Sequence, residues 1–591
     1  MQLPPQEHAY PVIIVGGGPV GLSASILFSL RGIRHLLFER RATTSIHPKA
    51  CGINQRTTEI FRVMGIEHEV YQHAAPPEVA GQTAWYTSFG PDGKEIHTRD
   101  AWGGGEYEVE YAAHSPCKYC ILPQIRLEPI LKRRAEELNP GGIVCGIEVL
   151  SVKDDAEVGQ VVVRADGDAS IQTYQARYVL IADGGRMFTD QLGVRWLGER
   201  NLFDMVTAHF RAAALRPLHP DPRNFITWFS NPENGGSTRT GYLYQIGPWP
   251  RRAPEEEEWV FVCGLTDADP KRFDEATMLK RLKGTIRIPE LDVELLSFSH
   301  WDVNAIYAET WRIGRVFLVG DSAHRIPPWG ALGMNSGIQD AQNLVWKIDL
   351  ALTHPGKYEA LLDTYQTERL EVGRRVGTTS LNNMRSHSNA MDGALGISAA
   401  KSAEENQEAA APYWTPSHPD HEKKRHAVRE ASTQLDSEFK APGYEVGWFY
   451  PSADINLEGG VTHGGQQRAD GELVHGHYFQ STIPGHHLPH VWLERDDKRF
   501  AIRDLLALRK LTLFAHHSCD FTGADERTQV VVVAPKAWHD FCRGWEEVRG
   551  VDASGGVLAR PDGIVAWRGS LVGQDRRSWG ALVDRVLRVI R

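Results

Sequence analysis

The stretch that most constrains the fold is residues 12–39, VIIVGGGPVGLSASILFSLRGIRHLLFE. Residues 12–15 form a short, unbroken β-branched run, the pattern of a strand buried on both faces. A glycine-rich turn and a helix from about residue 20 to 30 follow, and the apolar run 34–39 ends in an acid. This order predicts a βαβ unit and commits the chain's start to a parallel sheet sandwiched by helices. Residues 11–30 have the length of a membrane span, but glycines, a proline and serines interrupt them, so the buried unit is the better reading.

Gly16, Gly18 and Gly21, with Pro19 and Val20 between them, follow G-x-G-x-x-G directly after a strand. Gly16 permits the tight turn, Gly18 lets backbone approach a diphosphate, and Gly21 allows the helix to pack closely on the strand. The helix N-terminus favours the anion. About twenty residues on, Glu39 is placed to accept from ribose hydroxyls, and Arg40 follows it. An acid there suits an adenosine ribose without a 2′-phosphate, as in FAD or NAD.

At 591 residues the chain exceeds a single hydrophobic core, and two to four domains are expected. A net charge of −10 argues against nucleic acid or an anionic membrane as partner. Seven cysteines, few and odd in number, argue against a disulfide framework, and MQLPPQEHAY lacks a secretory pattern, so a cytoplasmic protein is expected. The apolar patterning divides the chain into a first nucleotide-binding part (1–200), an antiparallel β domain (201–308), a second nucleotide-binding part with helices (309–390), a linker (391–442) and a smaller α/β domain (443–591). In the last, 511–515 and 530–535 read as strands, and 538–548 and 579–590 as helices. The fold class expected is α/β with an inserted antiparallel sheet.

Two further motifs narrow the ligand. YVLIADGG (178–185) is an apolar strand ending in Asp183-Gly184. GRVFLVGDSAH (314–324) sets Gly320-Asp321 at the end of another strand, where α/β sheets bind ligands and an acid can accept from ribityl hydroxyls. The charge run 255–258 reads as a solvated turn. Cys117-Lys118-Tyr119-Cys120, beside His114, has no second cysteine pair to complete a zinc site and reads as structural; no metal is expected.

With these three motifs in order, the chain resembles the class A flavoprotein aromatic hydroxylases of the phenol hydroxylase type, near the branch of dichlorophenol monooxygenases and polyketide hydroxylases. The string HRIPPWGALGMNSGIQDAQNLVWK (324–347), the segment LPQIRLEPIL (122–131) and the segment WDVNAIYA (301–308) carry it further. LPHVWL (488–493) and ARPDGIVAWR (559–568) resemble the family's thioredoxin-like domain, here without Cys-x-x-Cys because Cys519 and Cys542 are far apart. The resemblance implies FAD, NADPH or NADH as co-substrate, O2, and hydroxylation of a phenolic or polycyclic aromatic through a flavin C4a-hydroperoxide. It implies flavin contacts from Gln124 and Lys49, and from backbone N–H groups of Leu332, Gly333, Met334 and Asn335. Pro327, Pro328 and Trp329 would wall the reacting oxygen from water. Phenol activation asks for an acceptor, and the candidates are Asp302, Tyr307, Tyr242 and Arg239. The chain departs from the family pattern at Met187 (usually Ser), Lys49 (usually Arg) and Cys51 (an acid in simple phenol hydroxylases). A homodimer is expected. The rival readings are an epoxidase or Baeyer–Villiger-type oxygenase of a polyketide pathway, and a flavin-bound regulatory protein without turnover.

Overall fold

The structure, a computed structural model, describes residues 9–165, 170–250, 252–265, 269, 273–450, 463–516 and 523–588. The N-terminal strand Tyr10–Val15 pairs in parallel with His35–Glu39 on one side and Ile171–Ile181 on the other. The parallel order continues to Ile143–Cys145 at one edge and Val316–Leu318 at the other. Residues 12–15 are all buried, as the β-branched run requires. The helices Pro19–Leu30 and Gly333–Thr353 pack on this sheet and on one another. The Gly-rich turn, the Asp183-Gly184 turn and the Gly320-Asp321 turn thus all lie at the C-terminal ends of neighbouring strands.

A second, eight-stranded sheet covers one side of that edge. Its core is the expected antiparallel set, with Asn224–Phe229, Gly241–Gly247 and Glu258–Gly264 joined by the long strands Trp196–Arg211 and Glu294–Ala308. The sheet also recruits Gln82–Tyr86 and Glu95–Asp100 from the part expected to belong to the nucleotide-binding unit. Parallel pairing of Gln82–Tyr86 with Asn224–Phe229 leaves no local sequence signature, so the boundary at residue 200 divides a sheet that is continuous in space.

Residues 391–442 are not a linker. The helix Glu359–Leu395 runs beneath the second sheet, and Ala403–Trp414, His421–Gln434 and Asp436–Phe439 pack beside it. Met391, Leu395, Tyr413, Val428 and Phe439 bury themselves against Trp85 and Trp228 of the sheet. Their sparse apolar positions at helical spacing are diluted by exposed Glu, Lys and His, which produced the linker-like composition. The charge run is also not solvated throughout: Glu257 is buried and paired with Arg216, and Glu258 receives Arg126 (2.7 Å) and His209 (3.0 Å).

The C-terminal unit holds a four-stranded mixed sheet, Thr528–Val533, Leu511–His516, Gly555–Ala559 and Val565–Ser570, against the helix Arg576–Val586. Of the expected helix 538–548 only Gly544–Val548 forms. Cys519 lies outside the described residues, and Cys542 is an exposed free thiol. No helix among the described residues is long and apolar enough to cross a membrane.

Burial holds several imidazoles neutral. His35, His97, His114, His486 and His490 are pushed down to about 4, and His487 well below its ordinary value. A histidine whose folded pKa is depressed gains its proton first in the unfolded chain. Stability is therefore lost as pH falls from about 6.5 towards 4. The thermal midpoint is expected to drop steeply across that window, and a midpoint flat between pH 7 and 5 would contradict the assignment.

Candidate active site

Gly16 takes φ 107°, and a Cβ there would sit 2.3 Å from the Ala182 carbonyl oxygen. At Gly21 a Cβ would meet the Gly16 carbonyl oxygen at 2.0 Å. At Gly18 no atom lies within 4 Å of a Cβ position, so the backbone there faces open space at the helix start. Pro19 opens the helix, and no side chain caps it. Its free N–H groups are available to an anion. The Glu39 carboxylate accepts from the N–H of Gly17 (2.7 Å) and of Arg41 (2.9 Å), which holds the acid over the glycine turn.

The Asp183 and Asp321 turns are built as one piece. Asp183 accepts from the N–H groups of Gly185 (2.9 Å) and Met187 (3.0 Å) and from the Ser322 hydroxyl (2.8 Å). Its carboxylate is thus spent on tying its own turn to the Gly320-Asp321 turn. The Met187 backbone closes that turn while its side chain is 41% exposed, so the geometry needs no serine there. Gly184 and Gly185 both take positive φ, and a Cβ on Gly185 would collide with the Asp321 carbonyl at 2.3 Å. Gly320, at φ 61°, and Gly337 pack against Val20, which joins the two helices at the groove.

Asp321 lines the groove, with its carboxyl raised by desolvation against the pull of His324, Arg325, Lys49 and Arg186. Lys49 holds φ 50°, and its ammonium is lowered by desolvation, partly offset by Glu128. Arg186 is likewise lowered by desolvation and by the neighbouring Arg40 and Arg41. Such crowded cations need anionic company. Gln124, nearly buried, donates to Glu128 (2.5 Å), and Glu128 accepts from the Ser45 N–H (2.6 Å), which ties the Gln124–Leu138 helix to the loop before Lys49.

The Gly333–Thr353 helix has Leu332 as its N-cap residue and no side-chain cap, and its first internal bond runs from the Ser336 N–H to the Leu332 carbonyl (2.9 Å). The N–H groups of Leu332, Gly333, Met334 and Asn335 therefore have no helical acceptor. The Asn335 side chain grips the 52–54 backbone, accepting from the Asn54 N–H (3.1 Å) and donating to the Gly52 carbonyl (2.9 Å). This staple sets Cys51 beside the helix start. Uncapped helix starts, an open Gly18, a carboxylate and a cationic rim fit the diphosphate, ribityl chain and ring of FAD.

Beyond the ring position, an aromatic compartment lies between the second sheet, the Trp329 loop and the Glu359–Leu395 helix. Cys51, Tyr242, Tyr244, Trp301 and Trp329 are partly buried there, packed with Met205, Val303 and Met384. The Cys51 thiol donates to the Lys49 carbonyl (3.5 Å) and accepts from the Tyr244 hydroxyl, and burial pushes it up to about 12. Residue 51 is thus a neutral donor, where an acid would have been a base. Burial also raises the phenols of Tyr242 and Tyr244, which stay protonated. Pro327 is buried and Trp329 half-buried, while Pro328 is exposed; its carbonyl accepts from the Ala331 N–H (3.0 Å).

Among the described side chains of the acceptor candidates, only that of Tyr242 lies in this compartment. Asp302 is exposed on the opposite face from its neighbours Trp301 and Val303, as strand alternation dictates, and shares a proton-raising contact with Asp204 in a surface pocket. Tyr307 lies near Arg374. The side chain of Arg239 lies outside the described residues. The sequence reading missed His387, buried on the Glu359–Leu395 helix, whose Nδ1 faces Glu438 at 2.9 Å and whose ring lies 3.8 Å from that of Trp228. Among the described residues no group of three or more His, Cys, Asp or Glu could hold a metal ion.

A family model described as FAD binding domain matches residues 9–380, and one described as aromatic-ring hydroxylase, C-terminal, matches 481–588. Phenol 2-monooxygenase of Pseudomonas sp. (strain EST1001) is 32% identical over 94% of this chain and 89% of its own length. The 2,4-dichlorophenol 6-monooxygenase of Delftia acidovorans is 30% identical over 94% of each chain. The crystal structure of the flavin-dependent monooxygenase PieE in complex with FAD and substrate superposes with a TM-score of 0.87 at 30% identity, over 99% of this chain and 100% of that one. With FAD-type motifs converging on one groove, an aromatic compartment beside it and both family models matched in order, the chain belongs to the FAD-dependent aromatic-ring hydroxylases, monooxygenases of aromatic or polyketide substrates.

Proposed function

We propose that the protein hydroxylates a phenolic, substituted or polycyclic aromatic compound using NADPH or NADH and O2. The observation that carries this reading is the aromatic cluster of Tyr244, Tyr242, Trp301 and Trp329 packed around Cys51, with Trp228 against Tyr242. Ring contacts continue along it, Tyr242 with Tyr244 at 6.1 Å and Trp228 with Tyr242 at 4.4 Å. Walls of this kind favour a flat, apolar ligand.

FAD supplies the redox chemistry and the activation of oxygen. The chain's own residues do the rest. Gly18 and the first turn of Pro19–Leu30 would hold the diphosphate, Glu39 the adenosine ribose, and Asp321 the ribityl hydroxyls. N–H groups from Leu332 to Asn335 would present positive potential to the flavin ring. Pro327 and Trp329 exclude water from the reacting edge. The neutral Cys51 thiol and the Tyr244 hydroxyl orient the substrate by donating or accepting hydrogen bonds without taking its proton. A homodimer working in the cytoplasm is part of the same proposal.

The test is a screen of NADPH and NADH oxidation over phenols and polyketide aromatics, with mass spectrometry of the products. Addition of one oxygen atom to a phenolic ring is expected. A ring-expanded lactone or an epoxide would assign the chain to the rival oxygenase chemistries. Failure of every aromatic to stimulate nicotinamide oxidation would point to a flavin-bound regulator.

A further inference from the structure

We propose that His387, oriented by Glu438, accepts the proton of the substrate hydroxyl during hydroxylation. This rests on the aromatic hydroxylase reading above and supplies the base that Cys51 cannot provide.

The pair has the geometry of an oriented general base. Glu438 can only accept at its ionised carboxylate, so the 2.9 Å contact makes Nδ1 the protonated nitrogen and leaves the Nε2 lone pair as the acceptor. His387 is 5% exposed and Glu438 6%. Nε2 has no hydrogen-bond partner among the described residues, and neither has the Trp329 indole nitrogen. An acceptor and a donor left unsatisfied in one compartment match a ligand that offers a hydroxyl and an oxygen acceptor.

The position is shared with the rest of the site. The His387 ring packs on Trp228, and Trp228 on Tyr242. The Tyr242 hydroxyl feels both Glu438 and Cys51, so one side chain spans the distance from the dyad to the residue stapled at the helix start. One turn earlier on the same helix, Asn383 donates to the Ser437 carbonyl (3.0 Å) and accepts from the Ser437 hydroxyl (2.7 Å). Asn383 also reaches the Trp329 carbonyl at 3.5 Å. The segment bearing Glu438 is therefore tied to the loop that walls the reacting edge. The charged or titratable groups facing His387 are Glu438 from the Asp436–Phe439 turn, Asp392 from its own helix and Tyr242 from the sheet, with Arg99 behind Phe439. Asp392 is engaged by Ser230 and by the Ser237 N–H (2.8 Å).

In the step proposed, the O–H bond of the substrate breaks, its electron pair stays on the phenolate oxygen, and the proton forms an N–H bond at Nε2. The phenolate raises the nucleophilicity of its ortho and para carbons, and no electrons leave the substrate at this stage.

The test uses the full-length, FAD-loaded enzyme, with His387→Asn, His387→Gln and Glu438→Gln, and the phenol chosen by the screen. Product formed per nicotinamide oxidised is measured against pH, with flavin occupancy and thermal midpoint recorded for each variant. His387→Asn is expected to lose hydroxylation by about 100-fold near neutral pH while nicotinamide oxidation continues. Its yield should recover as pH approaches the pKa of the free phenol. His387→Gln should behave alike, and Glu438→Gln should show a smaller loss with the acid limb of its pH profile displaced to lower pH. Wild-type yield and profile in either His387 variant would overturn the proposal. So would a loss equal at every pH, which is the mark of a structural role. A wild-type enzyme that hydroxylates no phenol would instead overturn the aromatic hydroxylase reading itself.

Discussion

Asp321→Ala is expected to purify with little FAD and to lose turnover unless flavin is added in excess. The carboxylate lines the groove among His324, Arg325, Lys49 and Arg186. No other described carboxylate is available at that strand end, because Asp183 is committed to Gly185, Met187 and Ser322. A hydrogen bond to a charged group contributes about 1.5–3 kcal/mol, so the flavin dissociation constant should rise ~10–100-fold. Asp321→Asn keeps an acceptor and should fall between the two. Flavin absorbance per protein and a fluorescence titration measure it. A fully yellow Ala variant with normal turnover would remove Asp321 from the cofactor site.

Arg560→Ala is expected to destabilise the protein more than any single surface change. Arg560 lies in the C-terminal unit, yet its guanidinium grips Glu368 of the Glu359–Leu395 helix at 2.7 and 2.9 Å and Asp562 at 3.0 Å. Glu368 also receives Lys347 (2.8 Å) and Asn343 (2.6 Å), and all these side chains are buried. Although burial works against the carboxylate, Arg560 and Lys347 hold the Glu368 carboxyl down at about 2. Removing one partner strands a buried charge, at a cost of about 3–5 kcal/mol. The consequence reaches the flavin groove. From Asn343 the network passes through the Tyr450 hydroxyl to Arg369, which binds Asp340 at 2.7 Å. Asp340 in turn accepts from His324 (2.9 Å) and from the Gly320 N–H (3.2 Å). Arg560→Ala should therefore lower the thermal midpoint by about 2–4 °C and also weaken flavin binding. Adding Asp562→Asn, which removes the carboxylate that loses its ion pair, should recover part of the loss. An unchanged midpoint in the single variant would show that the network contributes little.

Part of this design could be read before any coordinates. G-x-G-x-x-G, Asp-Gly and Gly-Asp are local patterns, because each turn needs its glycines for reasons that lie within a few residues: a positive φ at Gly16, Gly184 and Gly320, and close backbone approach at Gly21. The strands of the second sheet were legible from their own apolar runs. The segment 391–442 was not, since its helices are apolar only on the faces that meet Trp85 and Trp228. Asp302 misled because an acid in a family-like segment says nothing of which face it occupies. One residue of register carries it to the opposite side of the sheet from Trp301.

The sequence alone thus determined the class of the fold, the cofactor and the turns proposed to receive it. These depend on backbone conformation and on short-range spacing, and both are written in consecutive residues. Only the tertiary structure decided where a substrate's proton could go. His387 and Glu438 stand 51 residues apart in a region of linker-like composition. They become a pair because the Glu359–Leu395 helix and the Asp436–Phe439 turn converge beneath Trp228. A buried acid–base pair is a property of shared burial and distance, and a chain read in order contains neither.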